Sequence, residues 1–199
     1  TNASSSVVNM LYNTQLMRLA GADGVAAYGA VMYVNFIFVA TFLGYAIGCA
    51  PVISYHYGAG NHAELKNLYK KSMSIILVWG VILFGAAQLL APVLSKIFVG
   101  YNTGLYAMTL HGFRVYAIAF LIIGINIFGS SFFTALNNGL ISAVISFLRT
   151  LVFQVIMVLT LPLWFGINGI WSAISIAEAL TLIMTTTFFV RQKDKYHYL

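Results

Sequence analysis

The sequence predicts an all-α integral membrane protein, a bundle of six transmembrane helices. Of its 199 residues, 61% are hydrophobic and 7% are charged, whereas soluble domains carry roughly 25% charged residues. Apolar runs long enough to cross a ~30 Å hydrocarbon core alternate with short turns that contain Gly and Asn. Most of the ten Lys and Arg residues lie near the ends of those runs or in the C-terminal tail, which is the distribution that membrane topology produces.

Six apolar segments define the predicted helices, and polar or Gly-containing turns define their ends. The first segment is ~16 residues long, shorter than the ~20 that a span needs, which indicates truncation at its start. Because the sequence begins at Thr1 without a Met, we expect either a part of a longer protein or a processed chain. A short surface helix is predicted over residues 61–71, because Asn61 and Glu64 have the spacing of a capping box. The predicted transmembrane helices cover approximately residues 4–19, 28–55, 72–98, 113–136, 141–164 and 170–190.

The positive charges orient these helices. If the C-terminal tail is cytoplasmic, seven basic residues share its side of the membrane and three lie on the other side. This bias follows the positive-inside rule, so we expect a multi-pass protein of the inner or plasma membrane with both ends cytoplasmic and its basic loops against anionic lipid. The residues that serve as topology anchors in this prediction are Lys66, Lys70, Lys71, Arg149 and Arg191.

The sequence lacks the motifs of soluble enzymes. It contains no P-loop, no HExxH, no GxSxG and no Rossmann glycine pattern. Its bases do not form the aromatic-interleaved stripe of a nucleic-acid binder. Cys49 is the only cysteine, and the four histidines do not have the spacing of metal ligands. We therefore expect no enzymatic activity, no cofactor, no metal site and no nucleic-acid partner.

Glu178 is the sharpest candidate for function. Counting ~1.5 Å per residue from Gly169 places it ~13 Å into the sixth helix, near the middle of the membrane. A carboxylate at that depth costs roughly 2.5–3.5 kcal/mol on insertion scales, so it should face a cavity or a partner. One interpretation is a site that responds to protons or cations. The other is a neutral carboxyl group that is hydrogen-bonded and packed between helices.

Other polar groups within the predicted helices extend this hypothesis. Asn126 and Gln154 are the deepest amides, and Tyr33 and Asn35 lie within the second helix. Each alone is more often a contact between helices than a ligand contact, but together with Glu178 they make a polar cavity plausible. Arg149 lies one to two turns inside the fifth helix, where its long stem can carry the guanidinium back to the surface.

The second helix contains two features that affect packing. Gly44 and Gly48 form a small-xxx-small stripe, which predicts close packing against another helix. Pro51 frees a backbone carbonyl one turn earlier, so we expect it to kink the helix.

Several ordered motifs resemble the MATE (multidrug and toxic compound extrusion) family. They comprise residues 50–61 (APVISYHYGAGN) followed by Lys70, residues 132–139 (FFTALNNG), and residues 146–150 (SFLRT) leading to LPL and GINGIW at 161–171. The match covers nearly the whole chain and corresponds to the second six-helix lobe of that family.

The resemblance implies a twelve-helix transporter whose two lobes are related by an axis along the membrane normal, with a cavity between them. It also implies export of cationic or amphipathic compounds in exchange for H⁺ or Na⁺, with a missing N-terminal six-helix lobe as the partner of this chain. Some members carry acids in the first and fourth helices of this lobe, where this sequence offers Asn9, Asn13, Gln15 and Asn126. That departure is similar to the DinF-like branch, in which the main acid lies in the first lobe.

The predicted function is therefore half of a secondary active multidrug antiporter. The first alternative is a lipid-linked oligosaccharide flippase of related architecture, which should have a more strongly cationic cavity. A structural membrane subunit is the second alternative. A membrane-embedded enzyme would need a paired acid, a His cluster or a nucleophile beside Glu178, and the sequence supplies none.

Overall fold

The computed structural model describes residues 2–199, which form helices joined by short turns. Within these residues, five helical stretches are long and apolar enough to cross a membrane. A 3-10 turn (Ala117–Ala119) joins α3 to α4, and a π-helical segment (Leu148–Val152) joins α5 to α6. The helices are α1 (Asn2–Gly58), α2 (His62–Val99), α3 (Thr103–Tyr116), α4 (Phe120–Ala135), α5 (Gly139–Phe147), α6 (Phe153–Phe165) and α7 (Ile167–Tyr196).

The first of these helices reverses direction at Gly21. Gly21 has φ 63° and ψ −153°, a conformation that only glycine adopts without strain. The rings of Tyr12 and Tyr28 stack with their centroids 4.9 Å apart, whereas a straight helix would separate these residues by about 24 Å. The two halves of α1 therefore lie side by side. The reversal occurs at Gly21, the first residue of the predicted turn, and residues 22–24 are already helical. With the reversal at Gly21, the five apolar helices form six apolar helical segments, the number that the sequence predicts.

The predicted surface helix over residues 61–71 is not a separate element. It is continuous with the next span as α2, which has 38 residues and is about 57 Å long at 1.5 Å per residue. The Asn61 side chain accepts a hydrogen bond from the Glu64 backbone N–H at 3.1 Å, so the predicted cap is present. Because no helix breaker follows it, the helix that starts there continues into the apolar run.

The later helix ends agree closely with the sequence prediction. The stretch from α3 to α4 ends at Ala135, and α5 begins at Gly139 after a turn in which Asn137 has φ 58°. The start of α3 is the largest difference, because the span begins at Thr103 rather than near residue 113. The Asn102 side chain caps this helix by accepting hydrogen bonds from two backbone N–H groups at 2.9 and 3.1 Å.

An aromatic cluster closes the end of the bundle where α2 begins and α7 ends. Phe132, Phe133 and Phe189 are each at most 3% exposed. The chain turns back at His197, which has a left-handed backbone (φ 54°), and this turn inserts the ring of Tyr198 into the cluster. The centroid of that ring lies 4.9 Å from Phe132 and 5.1 Å from Tyr69. The beginning of α2 and the end of α7 therefore meet at one end of the molecule.

The contact between α6 and α7 depends on Gly169. A Cβ atom at this position would lie 2.4 Å from the carbonyl oxygen of Leu161 and 2.8 Å from the nitrogen of Pro162. Because both are backbone atoms, a side-chain rotation cannot relieve the overlap. We expect Gly169→Ala to lower the free energy of unfolding by about 1–3 kcal/mol, measured by denaturant titration of the purified protein in detergent.

Gly139→Ala is the matched control, since a Cβ there would meet no atom within 4 Å. Equal unfolding midpoints for the two variants would contradict this prediction, because α6 and α7 would then move apart enough to fit the added methyl group without loss of stability.

Candidate functional site

Three polar side chains from different elements meet in the interior of the bundle. The carboxylate of Glu178 on α7 accepts a hydrogen bond from Arg149 Nε at 2.8 Å. Its other oxygen accepts one from Asn126 Nδ2 at 2.7 Å. The same Nδ2 donates to the backbone carbonyl of Glu178 at 3.0 Å. We call Asn126, Arg149 and Glu178 the polar triad.

Burial makes the polar triad energetically important. Glu178 is 1% exposed and Asn126 is fully buried, while the Arg149 side chain keeps 16% of its exposure. An isolated carboxylate cannot stay charged at this depth without large cost. The guanidinium balances its charge, and the two N–H donors satisfy both carboxylate oxygens. The site is therefore neutral as a whole although it contains two charges.

Local structure explains how the three side chains reach one another. Asn126 lies on the buried face of α4, which is the most enclosed apolar stretch of the bundle. Arg149 lies in the π-helical segment Leu148–Val152. A π turn adds one residue to the helical ring, shifts the register of side chains and is frequent at functional sites. The segment thereby joins α5 and α6 at the level of Glu178.

Arg149 departs from its predicted role as a topology anchor. Its Nε lies 2.8 Å from the Glu178 carboxylate, so the side chain is paired inside the bundle. The physical reason is that the Glu178 carboxylate is 1% exposed. It has too little contact with water to be solvated, so a buried cation must balance its charge. The sequence contained a signal for this pair, since Arg149 and Glu178 are lone opposite charges within neighbouring apolar helices.

Among the described residues, the polar triad leaves one acceptor unused. Asn126 Oδ1 is buried and has no hydrogen-bond partner there. The Tyr12 hydroxyl, which is also buried, lacks a partner in the same part of the chain. A buried acceptor without a hydrogen-bond partner costs roughly 1–3 kcal/mol of stability. Folded proteins retain few such groups, and a functional role is one explanation for those that they retain.

The other predicted cavity residues are separate from the polar triad. Tyr33 is 68% exposed, and its ring stacks on Phe98 with the centroids 5.9 Å apart. Asn35 is half-buried and its Oδ1 has no partner within residues 2–199. Gln154 is also half-buried, next to the π-helical segment. None of the three hydrogen bonds to Glu178, so the predicted set is brought together only in part.

Gly44 and Gly48 pack against no other helix within residues 2–199, so their packing role stays a prediction. Both glycines are exposed, and a Cβ at either position would meet no atom within 4 Å. The tight glycine contacts lie elsewhere, where Gly112 faces the ring of Trp171 and Gly124 faces the ring of Phe42. Pro51 lies within α1, but the residue with non-helical backbone in that helix is Gly21. The kink at Pro51 stays a prediction.

A polar groove runs along the outer face of the first half of α1. Its volume is about 630 Å³. Two asparagines, a threonine and an arginine face it, which is unusual for a helix surface at membrane depth. The lining residues are Ser6, Asn9, Met10, Asn13, Thr14, Met17 and Arg18.

The other predicted anchors share one end of the bundle. Lys66, Lys70 and Lys71 lie near the beginning of α2, and Arg191 is exposed near the end of α7. The rings of His62 and His197 lie 4.8 Å apart, so these two helix ends are adjacent. The turn before α5 is at the same end, because Asn138 Nδ2 donates a hydrogen bond to the Tyr196 hydroxyl at 2.9 Å.

This chain is similar to known transporters in sequence and in fold. The MatE family model matches residues 1–160. A solved structure described as the outward-facing conformation of a multidrug resistance MATE family transporter of the MOP superfamily has a TM-score of 0.89 to this chain. It shares 19% identity, and the match covers 99% of this chain and 44% of that one.

Two further relatives extend the comparison. A MOP superfamily transporter from Pyrococcus furiosus, described as having a binding pocket of reverse polarity, has a TM-score of 0.86 and 19% identity, with coverage of 96% and 43%. The lipid II flippase MurJ of Bacillus subtilis (strain 168) is 30% identical over 98 residues, which are 48% of this chain and 18% of that protein. The chain thus spans less than half the length of each of these relatives.

Proposed function

The chain belongs to the MatE family, and from this premise we propose that it forms the C-terminal half of a secondary active antiporter. The antiporter exports cationic or amphipathic compounds in exchange for an inward flow of H⁺ or Na⁺. One observation carries the coupling part of the proposal, the polar triad of Asn126, Arg149 and Glu178. In this proposal the polar triad has two charge states, and the packing between α5, α6 and α7 differs between them.

The two states follow from simple electrostatics. With Glu178 ionised, the ion pair holds α7 against the π-helical segment through a contact of 2.8 Å. Protonation of Glu178 removes the negative partner and leaves the guanidinium of Arg149 as an uncompensated charge. That charge then moves towards water, a motion that its 16% exposure and long stem permit. A protonation event is thereby converted into a change in packing between α5, α6 and α7.

The same geometry favours H⁺ over Na⁺ at this site. A metal cation bound to Glu178 would lie close to the guanidinium of Arg149. Two like charges about 4 Å apart repel by about 4 kcal/mol at an effective dielectric constant of about 20. A proton avoids this cost because it neutralises the carboxylate and adds no separate ion.

The length of the matched structures and the polar groove support a missing partner lobe. The chain covers 44% of the first structure compared, so a second domain of similar size would complete the transporter. The groove lined by Asn9, Asn13 and Arg18 is costly to expose to lipid. A second lobe would cover that groove and enclose with it a polar path for the substrate.

A second candidate function is transport of a lipid-linked oligosaccharide. The observation that favours it is the match to lipid II flippase MurJ, which is 30% identical over 98 residues. Such a substrate carries a pyrophosphate, which Arg18 in the groove or a released Arg149 could bind. This candidate differs from the first in the sign of the charge that the cavity must accept.

Efflux of ethidium from cells that express the full-length protein tests the first proposal. We expect wild type to extrude ethidium only in the presence of an ion gradient. Both Glu178→Gln and the double variant Glu178→Gln with Arg149→Gln should lose this efflux at matched membrane abundance. The double variant is decisive because it removes the charge imbalance together with the titratable group.

Three results would contradict this assignment in different ways. Wild-type efflux by the double variant would show that the pair is structural and that coupling occurs in the other half. Sodium-dependent efflux that ignores a proton gradient would exclude the H⁺ mechanism. Transport of a fluorescent lipid-linked oligosaccharide, without export of any of several cations, would establish the flippase candidate.

A further inference from the structure

A chain of hydroxyl groups leads from one end of the bundle towards the polar triad. Thr134 Oγ1 lies 2.6 Å from Ser142 Oγ, and Ser142 Oγ lies 3.0 Å from Ser130 Oγ. Ser130 Oγ in turn lies 2.7 Å from Ser146 Oγ. These four side chains, which we call the hydroxyl chain, alternate between α4 and α5.

The register of the two helices aims the hydroxyl chain at the polar triad. Thr134, Ser130 and Asn126 are spaced four residues apart on α4, so they share one face of that helix. Ser142, Ser146 and Arg149 occupy the corresponding face of α5 and the π-helical segment. The last hydroxyl, that of Ser146, is therefore three residues, about 4.5 Å of rise, from Arg149, the triad residue on the same helix.

Exposure along the hydroxyl chain decreases in the same direction. Thr134 is exposed, Ser130, Ser142 and Ser146 are half-buried, and Glu178 is 1% exposed. Thr134 lies in the last turn of α4, three residues before Asn137. Asn137 belongs to the turn before α5, which is at the same end of the bundle as Lys66, Lys70 and Lys71. The hydroxyl chain thus extends from an exposed position near the end of α4 towards the buried polar triad.

The contacts within the hydroxyl chain differ from ordinary hydrogen bonds between helices, because a hydroxyl group stands on both sides of each contact. Each hydroxyl has one donor and can accept on two lone pairs, and in all three hydroxyl–hydroxyl contacts either oxygen can be the donor. Thr134 Oγ1 can also donate to the Ser130 carbonyl at 3.0 Å, and Ser130 Oγ to the Ser142 carbonyl at 3.2 Å. When these hydroxyls donate within the series instead, all of its bonds can reverse together. That reversal is the property by which a row of hydroxyls passes on a proton.

We propose that the hydroxyl chain is the route by which the proton on Glu178 leaves towards the end of the bundle that bears the lysines. This inference rests on the proposed function, in which Glu178 is the proton site. When Arg149 returns to Glu178, the O–H bond of the carboxyl group breaks and the ion pair forms again. The proton passes through water across one helical turn to Ser146. Ser130, Ser142 and Thr134 then each accept one proton and release another, until a proton reaches bulk water.

Ser142 provides the sharpest test, because Thr and Val differ there by a hydroxyl group at nearly equal volume. The full-length protein would be reconstituted in liposomes with a trapped pH-sensitive dye. We expect Ser142→Val to slow proton flux driven by an ethidium gradient roughly tenfold, since both contacts of Ser142 in the series, to Thr134 and to Ser130, are lost. Ser142→Thr should keep the wild-type rate, and the Kd for ethidium should be unchanged in both variants.

Thr186→Ala is the matched control, because within the described residues its hydroxyl bonds only the Leu182 carbonyl of its own helix. Proton flux in Ser142→Val within about twofold of wild type would overturn the inference and leave the hydroxyl chain as a structural contact. Flux lost equally in Ser142→Thr would also overturn it, because packing rather than the hydroxyl would then matter. If Glu178→Gln retains proton-driven efflux, the proposed function fails, and the proton route fails with it. Loss in Glu178→Gln together with normal flux in Ser142→Val removes the route alone.

Discussion

Removal of either charge of the polar triad alone should destabilise the protein by about 3–5 kcal/mol, whereas removal of both should cost little. Arg149→Gln should be the worse single change. It leaves the carboxylate of Glu178, which is 1% exposed, without a cation. Glu178→Gln leaves the guanidinium of Arg149, which is 16% exposed and can move towards water.

The double variant Glu178→Gln with Arg149→Met tests the same argument from the other side. Both side chains keep nearly their volume, and the side-chain carbonyl of the introduced glutamine can still accept the hydrogen bond from Asn126. We expect a free energy of unfolding within about 1.5 kcal/mol of wild type. With the single variants Glu178→Gln and Arg149→Met, this variant closes a double-mutant cycle, from which a coupling energy of at least ~4.5 kcal/mol between the two sites should follow, measured by denaturant titration in detergent.

An exposed charge provides the control for these losses. Arg114→Gln removes an exposed charge and should change stability by less than about 0.5 kcal/mol. Additive losses in the double variant would show that the two residues do not interact.

The architecture was predictable because hydrophobic length is a strong signal in a membrane protein. The turn at Gly21 and the helix ends near Ala135, Gly139 and Phe165 follow directly from where apolar runs stop. The continuity of α2 was missed because a charged amphipathic stretch has the same pattern whether it lies on a surface or extends a span. Only the absence of a breaker after Asn61 distinguishes the two.

The polar triad was predictable in part, and the limit has a physical cause. The depth of Glu178 and Asn126 follows from counting residues along a helix. Arg149 was assigned to the surface because its stem is long enough to reach either water or Glu178. Which of these it binds depends on helix register, and the π-helical segment Leu148–Val152 changes that register without a sequence signal. Gly44 and Gly48 show the reverse case, in which a packing pattern is present but no partner within the described chain meets it.

Truncation of Tyr198 should produce the largest loss of packing outside the membrane interior. Its side chain is fully buried, and its hydroxyl donates a hydrogen bond to the Phe189 carbonyl at 2.8 Å. Burial raises the pKa of this hydroxyl, so it keeps the proton that it donates. Replacing a buried aromatic ring by Ala typically costs about 3–5 kcal/mol. Tyr198→Ala should reach this range only if the tail and the bundle unfold together.

Limited proteolysis distinguishes that case from local detachment of the tail. If residues 196–199 can leave the aromatic cluster while the helices stay packed, the loss cannot exceed the free energy that docks the tail. Cleavage after Lys193 and Lys195 would then increase while the global unfolding midpoint stays near that of wild type. Tyr101→Ala is the control, since Tyr101 is 82% exposed and should affect neither measurement. Unchanged cleavage and an unchanged midpoint in Tyr198→Ala would mean that the ring does not hold the tail. If Tyr198→Ala lowers both the resistance to cleavage and the global unfolding midpoint, the tail belongs to the cooperative core that holds α2 against α7.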